Sequence, residues 1–161
     1  MPDLLIEGGT IVDGTGRTPY CGDIGIEGGR IAAIGEPGCA GSQAAEVIDA
    51  AGLIVTPGFV DIHTHYDGQI SWDPLLTPSC WHGVTTAIIG NCGVGFAPIE
   101  KGDHRWMIEL LAGVEDIPAD VLSEAMVWGW ESFPEYIEFL ASTPRVMDVG
   151  TQVPHSALRT Y

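Results

Sequence analysis

Basic residues are scarce in this sequence: six lysines and arginines stand against 22 aspartates and glutamates, which gives a formal net charge of −16 at pH 7. Nucleic acids and anionic membranes attract clusters of lysine and arginine, so we expect neither as a partner. The chain also lacks an apolar run near the ~20 residues of a membrane-spanning helix. Its N-terminus lacks the basic and apolar segments of a signal peptide.

Cysteines are few as well, namely Cys21, Cys39, Cys80 and Cys92. They form neither a C-x-x-C pair nor the dense pattern of a disulfide-rich secreted domain, which favours reduced thiols in a cytoplasmic protein. Free cysteines are most often small buried hydrophobes, and burial is the expectation for Cys21, Cys39 and Cys80.

The sequence changes character near residue 57. Before it, short β-like runs are separated by glycine-containing turns such as Gly8-Gly9, which predicts a small β-rich domain over residues 1–57. The predicted strands are Leu4 to Glu7, Thr10 to Val12, Asp23 to Ile26, Arg30 to Ile34, Glu46 to Ile48 and Leu53 to Val55. Residues 36–45, rich in glycine, proline and small residues, are predicted to form a surface loop.

Residues 58–161 alternate predicted strands and helices, which indicates an α/β domain built on a parallel sheet. The predicted strands cover residues 59–63, 84–89 and 145–153, and the predicted helices cover 103–112 and 134–141. A (β/α)₈ barrel needs eight strands and typically ~250 residues, so three strands predict either an open sheet or an incomplete barrel. We expect the second, with this chain as the front portion of a longer polypeptide.

The most informative stretch is the pentad Asp61-Ile62-His63-Thr64-His65, which follows an apolar run. If the pentad continues a strand, side chains at every second position share a face, so Asp61, His63 and His65 point the same way. Two imidazoles then converge as a divalent metal requires, with a carboxylate one step deeper that can orient them. Cys92, just past the next predicted strand, is a candidate third ligand.

The run Gly58-Phe59-Val60-Asp61-Ile62-His63-Thr64-His65, preceded by a β-rich segment, resembles the first barrel strand of the amidohydrolase superfamily. Further motifs are similar to those of N-acyl-D-amino-acid deacylases, also called D-aminoacylases. They are His82-Gly83-Val84-Thr85-Thr86, Gly90-Asn91-Cys92-Gly93, Val114-Glu115-Asp116-Ile117-Pro118 and Trp130-Glu131-Ser132-Phe133-Pro134-Glu135-Tyr136. The resemblance covers nearly the whole chain but reaches only about the first third of such an enzyme.

The resemblance implies a small β-sandwich built from both chain ends and a metal-bearing TIM-like barrel. It implies that His63, His65 and Cys92 bind zinc, with one or two ions in the complete enzyme, and that the cysteine replaces a modified lysine or glutamate used elsewhere in the superfamily. Water activated by the metal would hydrolyse the amide bond of a small N-acyl-D-amino acid. The remaining ligands and the catalytic carboxylate would lie beyond residue 161, so the chain alone is expected to have little or no activity.

Several residues have two interpretations. Asp61 either orients the histidine ligands or makes a structural hydrogen bond to the backbone. His155, which follows the third predicted strand, either lines the same end of the sheet as the metal site or lies outside the site. His104 lies in a polar region and is expected to be solvated. The aromatic residues Trp128 and Trp130 either shape an acyl pocket or pack in the core.

Two other functions stay open at this point. A cyclic-amide hydrolase, of the dihydropyrimidinase or dihydroorotase kind, belongs to the same superfamily, although the position of Cys92 argues against it. A truncated, non-catalytic scaffold or interaction module is a second alternative. Such a module would associate with a second copy of itself through exposed barrel strands.

Overall fold

The protein is described here by a computed structural model, which covers residues 1–115 and 117–161. Asp116, part of one of the motifs above, lies outside the described residues. The chain divides into two compact units, Met1–Pro57 and Gly58–Tyr161. Each unit has its own sheet.

The first unit is a five-stranded sheet. Its strands are β1 (Leu4–Ile11), β2 (Tyr20–Glu27), β3 (Arg30–Gly35), β4 (Glu46–Asp49) and β5 (Ile54–Val55). The order is β3-β2-β1-β4, and β5 pairs with the far end of β1. The β1-β2 and β2-β3 pairs are antiparallel, whereas β4 and β5 run parallel to β1.

The predicted turn at Gly8-Gly9 is wrong, because β1 runs straight through it. The ladder with β2 shifts register between Ile6 and Gly9, and Gly8 takes a φ of 70°, as in a β-bulge that uses glycine. The buried carboxylate of Asp23 accepts a hydrogen bond of 2.9 Å from the Gly8 N–H and one of 2.6 Å from the Gly38 N–H. The Asp23 side chain, distant in sequence, therefore stabilises a strand segment for which the glycine pair alone predicts a turn.

The expected burial of the cysteines is wrong for Cys21 and Cys39, which are both exposed, while Cys80 in the second unit is half-buried. Their thiols do have polar neighbours, since Cys39 Sγ donates to the Asp23 carbonyl at 3.5 Å. A unit of this size shields few positions from solvent, so a cysteine in it has no assured place in a core.

The second unit is a mixed α/β structure, which confirms the predicted class. A parallel sheet in the order β6-β7-β8 consists of β6 (Phe59–Asp61), β7 (Val84–Ile89) and β8 (Asp148–Thr151). The helices are α1 (His104–Glu115), α2 (Ala119–Ala125), α3 (Phe133–Ser142) and α4 (His155–Thr160). The prediction is confirmed for β7, α1 and α3, whereas β6 and β8 are shorter than predicted and α2 and α4 were not predicted. Among the helices of the described residues, none has the length and apolarity needed to cross a membrane.

The helices cover one side of β7. Ala87 and Ile89, which alternate along this strand, are fully buried together with Met107 and Leu111 of α1 and Leu122 of α2. Such interdigitated aliphatic side chains form the core that holds the sheet in place. The ends of β6, β7 and β8 are thereby fixed relative to one another.

The tryptophans belong to this packing. Trp130 is buried, and its indole N–H donates a hydrogen bond of 2.7 Å to the Phe96 carbonyl. Its ring lies 4.7 Å from that of Tyr136 and 5.5 Å from that of Trp128, measured between centroids. The structure therefore favours core packing over an acyl pocket for Trp130.

Helix α3 begins with a capping box. Ser132 Oγ accepts from the Glu135 N–H, and Glu135 Oε2 accepts from the Ser132 N–H at 2.7 Å, with Pro134 in the first turn as predicted. Hydrogen bonds from the backbone N–H groups of Ser132 and Glu131 to the Glu135 carboxylate also lower the pKa of Glu135. Two otherwise unpaired helix donors are satisfied in this way.

Replacing Ser132 by alanine removes the cap, and we expect the free energy of unfolding to fall by about 1 kcal/mol. Thermal or urea denaturation followed by circular dichroism measures this loss. Glu138→Ala, an exposed position on the same helix, is the matched control and should change stability by less than about 0.5 kcal/mol. Equal effects of the two substitutions would contradict the capping assignment.

Candidate metal centre

The two histidines of the pentad do not lie in a strand. β6 ends at Asp61, where Asp61 Oδ1 accepts a hydrogen bond of 3.2 Å from the His63 N–H. An aspartate that bonds backbone two residues ahead favours a turn over continued pairing, so the predicted strand through residue 63 is wrong. His63 and His65 occupy the segment after the strand end.

Thr64, between the histidines, anchors this segment to β7. Its N–H and its hydroxyl both donate to the Ile88 carbonyl, at 3.0 and 2.8 Å, and the residue is buried. A buried residue held by two bonds to one carbonyl has little freedom to rotate. The neighbouring histidines are thereby fixed at the end of the sheet.

Cys92 reaches the same place from the end of β7. It lies in a single 3₁₀ turn, Asn91–Gly93, with φ 56° and ψ 15°, which is the left-handed region. Gly90 and Gly93 also have positive φ, of 80° and 76°. For a residue with a Cβ this conformation costs roughly 1–3 kcal/mol, and it persists only where the surroundings enforce it.

Side-chain donor atoms of His63, His65 and Cys92 all lie within 4.8 Å of one another. His63 Nε2 is 3.2 Å from Cys92 Sγ, and the two imidazole centroids are 5.4 Å apart. In a tetrahedral zinc site, ligand bonds of about 2.0 to 2.3 Å place neighbouring donors about 3.3 to 3.6 Å apart. Small rotamer changes would bring these three atoms to that spacing, so the donor set fits a zinc ion.

The three ligand candidates face solvent, since His63 and Cys92 are exposed and His65 is half-buried. Among the side chains that the structure describes, in residues 1–113 and 117–161, they are the one group of three or more histidine, cysteine or acidic residues with this geometry. Three protein ligands with an accessible side match catalytic zinc sites, which keep a position open, better than closed structural ones.

Other candidate residues lie outside this group. Asp61 bonds the His63 backbone, as its structural interpretation predicts. His155 is the exposed first residue of α4 and lies beside the Cys92 turn, because a Cβ placed on Gly93 would be 3.4 Å from His155 Cβ. It therefore flanks the three donors without joining them.

His104 is not solvated as expected. Its ring stacks on Trp128, with centroids 3.9 Å apart and planes 5° from parallel, and burial lowers its pKa. It has no place in the metal group.

Two polar residues that sequence reasoning missed connect the strand ends. The Asn91 amide donates to the carbonyls of Ile88 and Thr64, at 2.8 and 3.2 Å, and its oxygen accepts from Gln152 Nε2 at 2.8 Å. Asn91 and Gln152 each follow closely after a parallel strand. Their position is the signal that could have identified them, because sites in such folds gather at the carboxyl ends of strands.

Gly90 allows β7 and β8 to end close together. A Cβ at this position would lie 2.3 Å from the Gln152 carbonyl oxygen, and the φ of 80° is itself unfavourable for other residues.

Replacing Gly90 by alanine should lower the free energy of unfolding by more than about 1 kcal/mol, because both the contact and the backbone conformation oppose a side chain. Chemical denaturation measures the change. The control is Gly102→Ala, since a Cβ there meets no atom within 4 Å and its φ is not positive. A Gly90→Ala chain as stable as the control would contradict this geometry.

A family model described as "Amidohydrolase family" matches residues 46–161. The chain is 36% identical over 157 residues to a D-aminoacylase of Alcaligenes xylosoxydans xylosoxydans, covering 98% of this chain and 30% of that protein.

Two solved structures are similar over almost the whole chain. A crystal structure of D-aminoacylase matches with a TM-score of 0.79 and 36% identity, over 99% of this chain and 31% of that one. An N-acyl-D-glutamate deacylase from Bordetella bronchiseptica, complexed with zinc and a phosphonate that mimics the tetrahedral intermediate, matches with a TM-score of 0.77 and 35% identity, over 98% and 30%. The chain thus spans about a third of the length of these relatives.

Proposed function

Because this chain belongs to the amidohydrolase family, we propose that it carries the first part of a zinc site that hydrolyses the amide bond of N-acyl-D-amino acids. The observation that carries the proposal is the convergence of donor atoms from His63, His65 and Cys92 within 4.8 Å. The substrate class is proposed from the relatives, a D-aminoacylase and an N-acyl-D-glutamate deacylase.

Each proposed ligand suits the ion. Neutral imidazole and thiolate bind zinc strongly, and the three side chains come from two segments that the sheet holds together. When bound, zinc polarises a carbonyl and lowers the pKa of a coordinated water to about 7. Asp61 supports the arrangement indirectly, because its carboxylate fixes the backbone of His63.

The proposal includes an incomplete barrel. Among the described residues, the second unit has three strands, with β6 and β8 at the edges of their sheet, whereas a closed barrel needs eight. Phe59, Val60 and Ile62 are 57, 58 and 73% exposed, an apolar surface that further strands would cover. We propose that the missing strands, ligands and catalytic carboxylate come from sequence outside these 161 residues.

The same exposed strand supports a second candidate, a non-catalytic module that pairs with another copy of itself through β6. Edge strands with apolar side chains readily add strands from other chains. The two candidates differ in metal binding. A chain that dimerises without binding zinc is the result expected of the module.

Cys92→Ala should weaken zinc binding by at least tenfold, because it removes one of three ligands, whereas losing a residue that only supports a ligand already costs about 10- to 100-fold. The measurement is the amount of zinc that the protein retains after dialysis, determined by elemental analysis. Cys21→Ala changes an exposed cysteine of the other unit and should retain zinc as the unmodified chain does. Unchanged zinc content in Cys92→Ala would exclude Cys92 as a ligand.

The 161-residue chain, loaded with zinc, should not hydrolyse N-acetyl-D-amino acids, because it lacks the proposed remaining ligands and the catalytic carboxylate. Release of the free amino acid is the measurement, with a D-aminoacylase as the positive control. Zinc-dependent deacylation by the isolated chain would show that the site is complete without further sequence.

A further inference from the structure

Cys92 needs an external constraint. The left-handed backbone of Cys92 is unfavourable for a residue with a Cβ. Gly90, two residues earlier, also has a positive φ. A short turn of this composition has many alternative conformations, most of which would direct the thiol elsewhere. Something outside the turn must select the observed one.

The Asn91 side chain supplies this constraint. The residue is 8% exposed, and both the nitrogen and the oxygen of its side-chain amide form hydrogen bonds. Nδ2 faces two carbonyl oxygens, those of Ile88 and Thr64, and Oδ1 faces the Gln152 amide, so the orientation of the amide follows from its neighbours. The side chain thus ties the turn to the strand ends of β7 and β8 and to the segment after β6.

One of these bonds joins the two halves of the metal group directly. Thr64, whose carbonyl accepts from Asn91, lies between His63 and His65, while Asn91 itself precedes Cys92. The hydrogen bond therefore joins the residue that precedes Cys92 to the residue that lies between the two histidines. No contact between Asn91 and the donor atoms is needed for it to set their separation.

From this geometry we infer that Asn91, held in place by Gln152, is a positioning residue that sets the Cys92 thiolate at ligand distance from the two histidines. The inference rests on the proposed metal site and adds to it a residue that binds no metal. Partners that orient ligands typically contribute about 10- to 100-fold to metal affinity.

Cobalt(II) titration of the 161-residue chain tests the inference, because a cobalt ion bound to thiolate shows a sulfur-to-metal charge-transfer absorption. Asn91→Leu has nearly the shape of asparagine without its hydrogen bonds or a new charge. We expect it to bind cobalt about 10- to 100-fold more weakly and to show a weaker charge-transfer band per bound ion. Circular dichroism establishes that the variant is folded.

The control is Ser132→Ala, which destabilises the same unit through the α3 cap and shares no hydrogen-bond partner with Asn91. It should keep the unmodified affinity and band. Gln152→Ala, at an exposed position, should also weaken cobalt binding and the charge-transfer band. If Asn91→Leu does not fold, the result for Gln152→Ala tests the inference alone. Variants of Asn91 or Gln152 with unmodified affinity and band would overturn the inference.

The test separates this inference from the proposal beneath it. If the unmodified chain shows no thiolate-to-cobalt band, the proposed metal site fails and the role of Asn91 fails with it. If the unmodified chain shows the band and the folded variants do too, only the positioning role is lost.

Discussion

The Ile88 carbonyl is the point on which the arrangement of the candidate site depends. It accepts hydrogen bonds from the Thr64 N–H, the Thr64 hydroxyl and the Asn91 amide. Through the first two it fixes the segment that carries both histidines, and through the third it fixes the turn that carries Cys92. A single backbone oxygen of β7, itself held by the helix-covered core, thus relates two segments that are far apart in sequence.

The sequence predicted the elements whose signals are local. β7 is an unbroken run of apolar and β-branched residues, and α3 has Pro134 in its first turn, so both were predicted at or near their true bounds. Spacing singled out His63 and His65, and Cys92 was notable for its place after the next strand, but the zinc-ligand set of all three came from the resemblance to a family. A mixed α/β architecture followed from the alternation of these elements.

What the sequence did not reveal depends on partners distant along the chain. Gly8 continues a strand because the Asp23 carboxylate accepts a hydrogen bond from its N–H, and β6 stops at Asp61, whose side chain accepts a hydrogen bond from the His63 N–H. Asn91 and Gln152 look like ordinary loop residues until the fold brings their amides together at 2.8 Å. Hydrophobic periodicity and turn composition depend on residues that are neighbours in sequence, so they cannot predict hydrogen bonds between polar side chains that are distant in sequence.

The left-handed backbone at Cys92 also has a consequence for the free energy of metal binding. Its conformational cost is borne when the chain folds, and the buried hydrogen bonds of Asn91 offset it. At the proposed site, a bound cation would therefore have to order the side chains of His63, His65 and Cys92 but not the backbone of the turn that carries the thiol, so less of its affinity would be spent on ordering the chain.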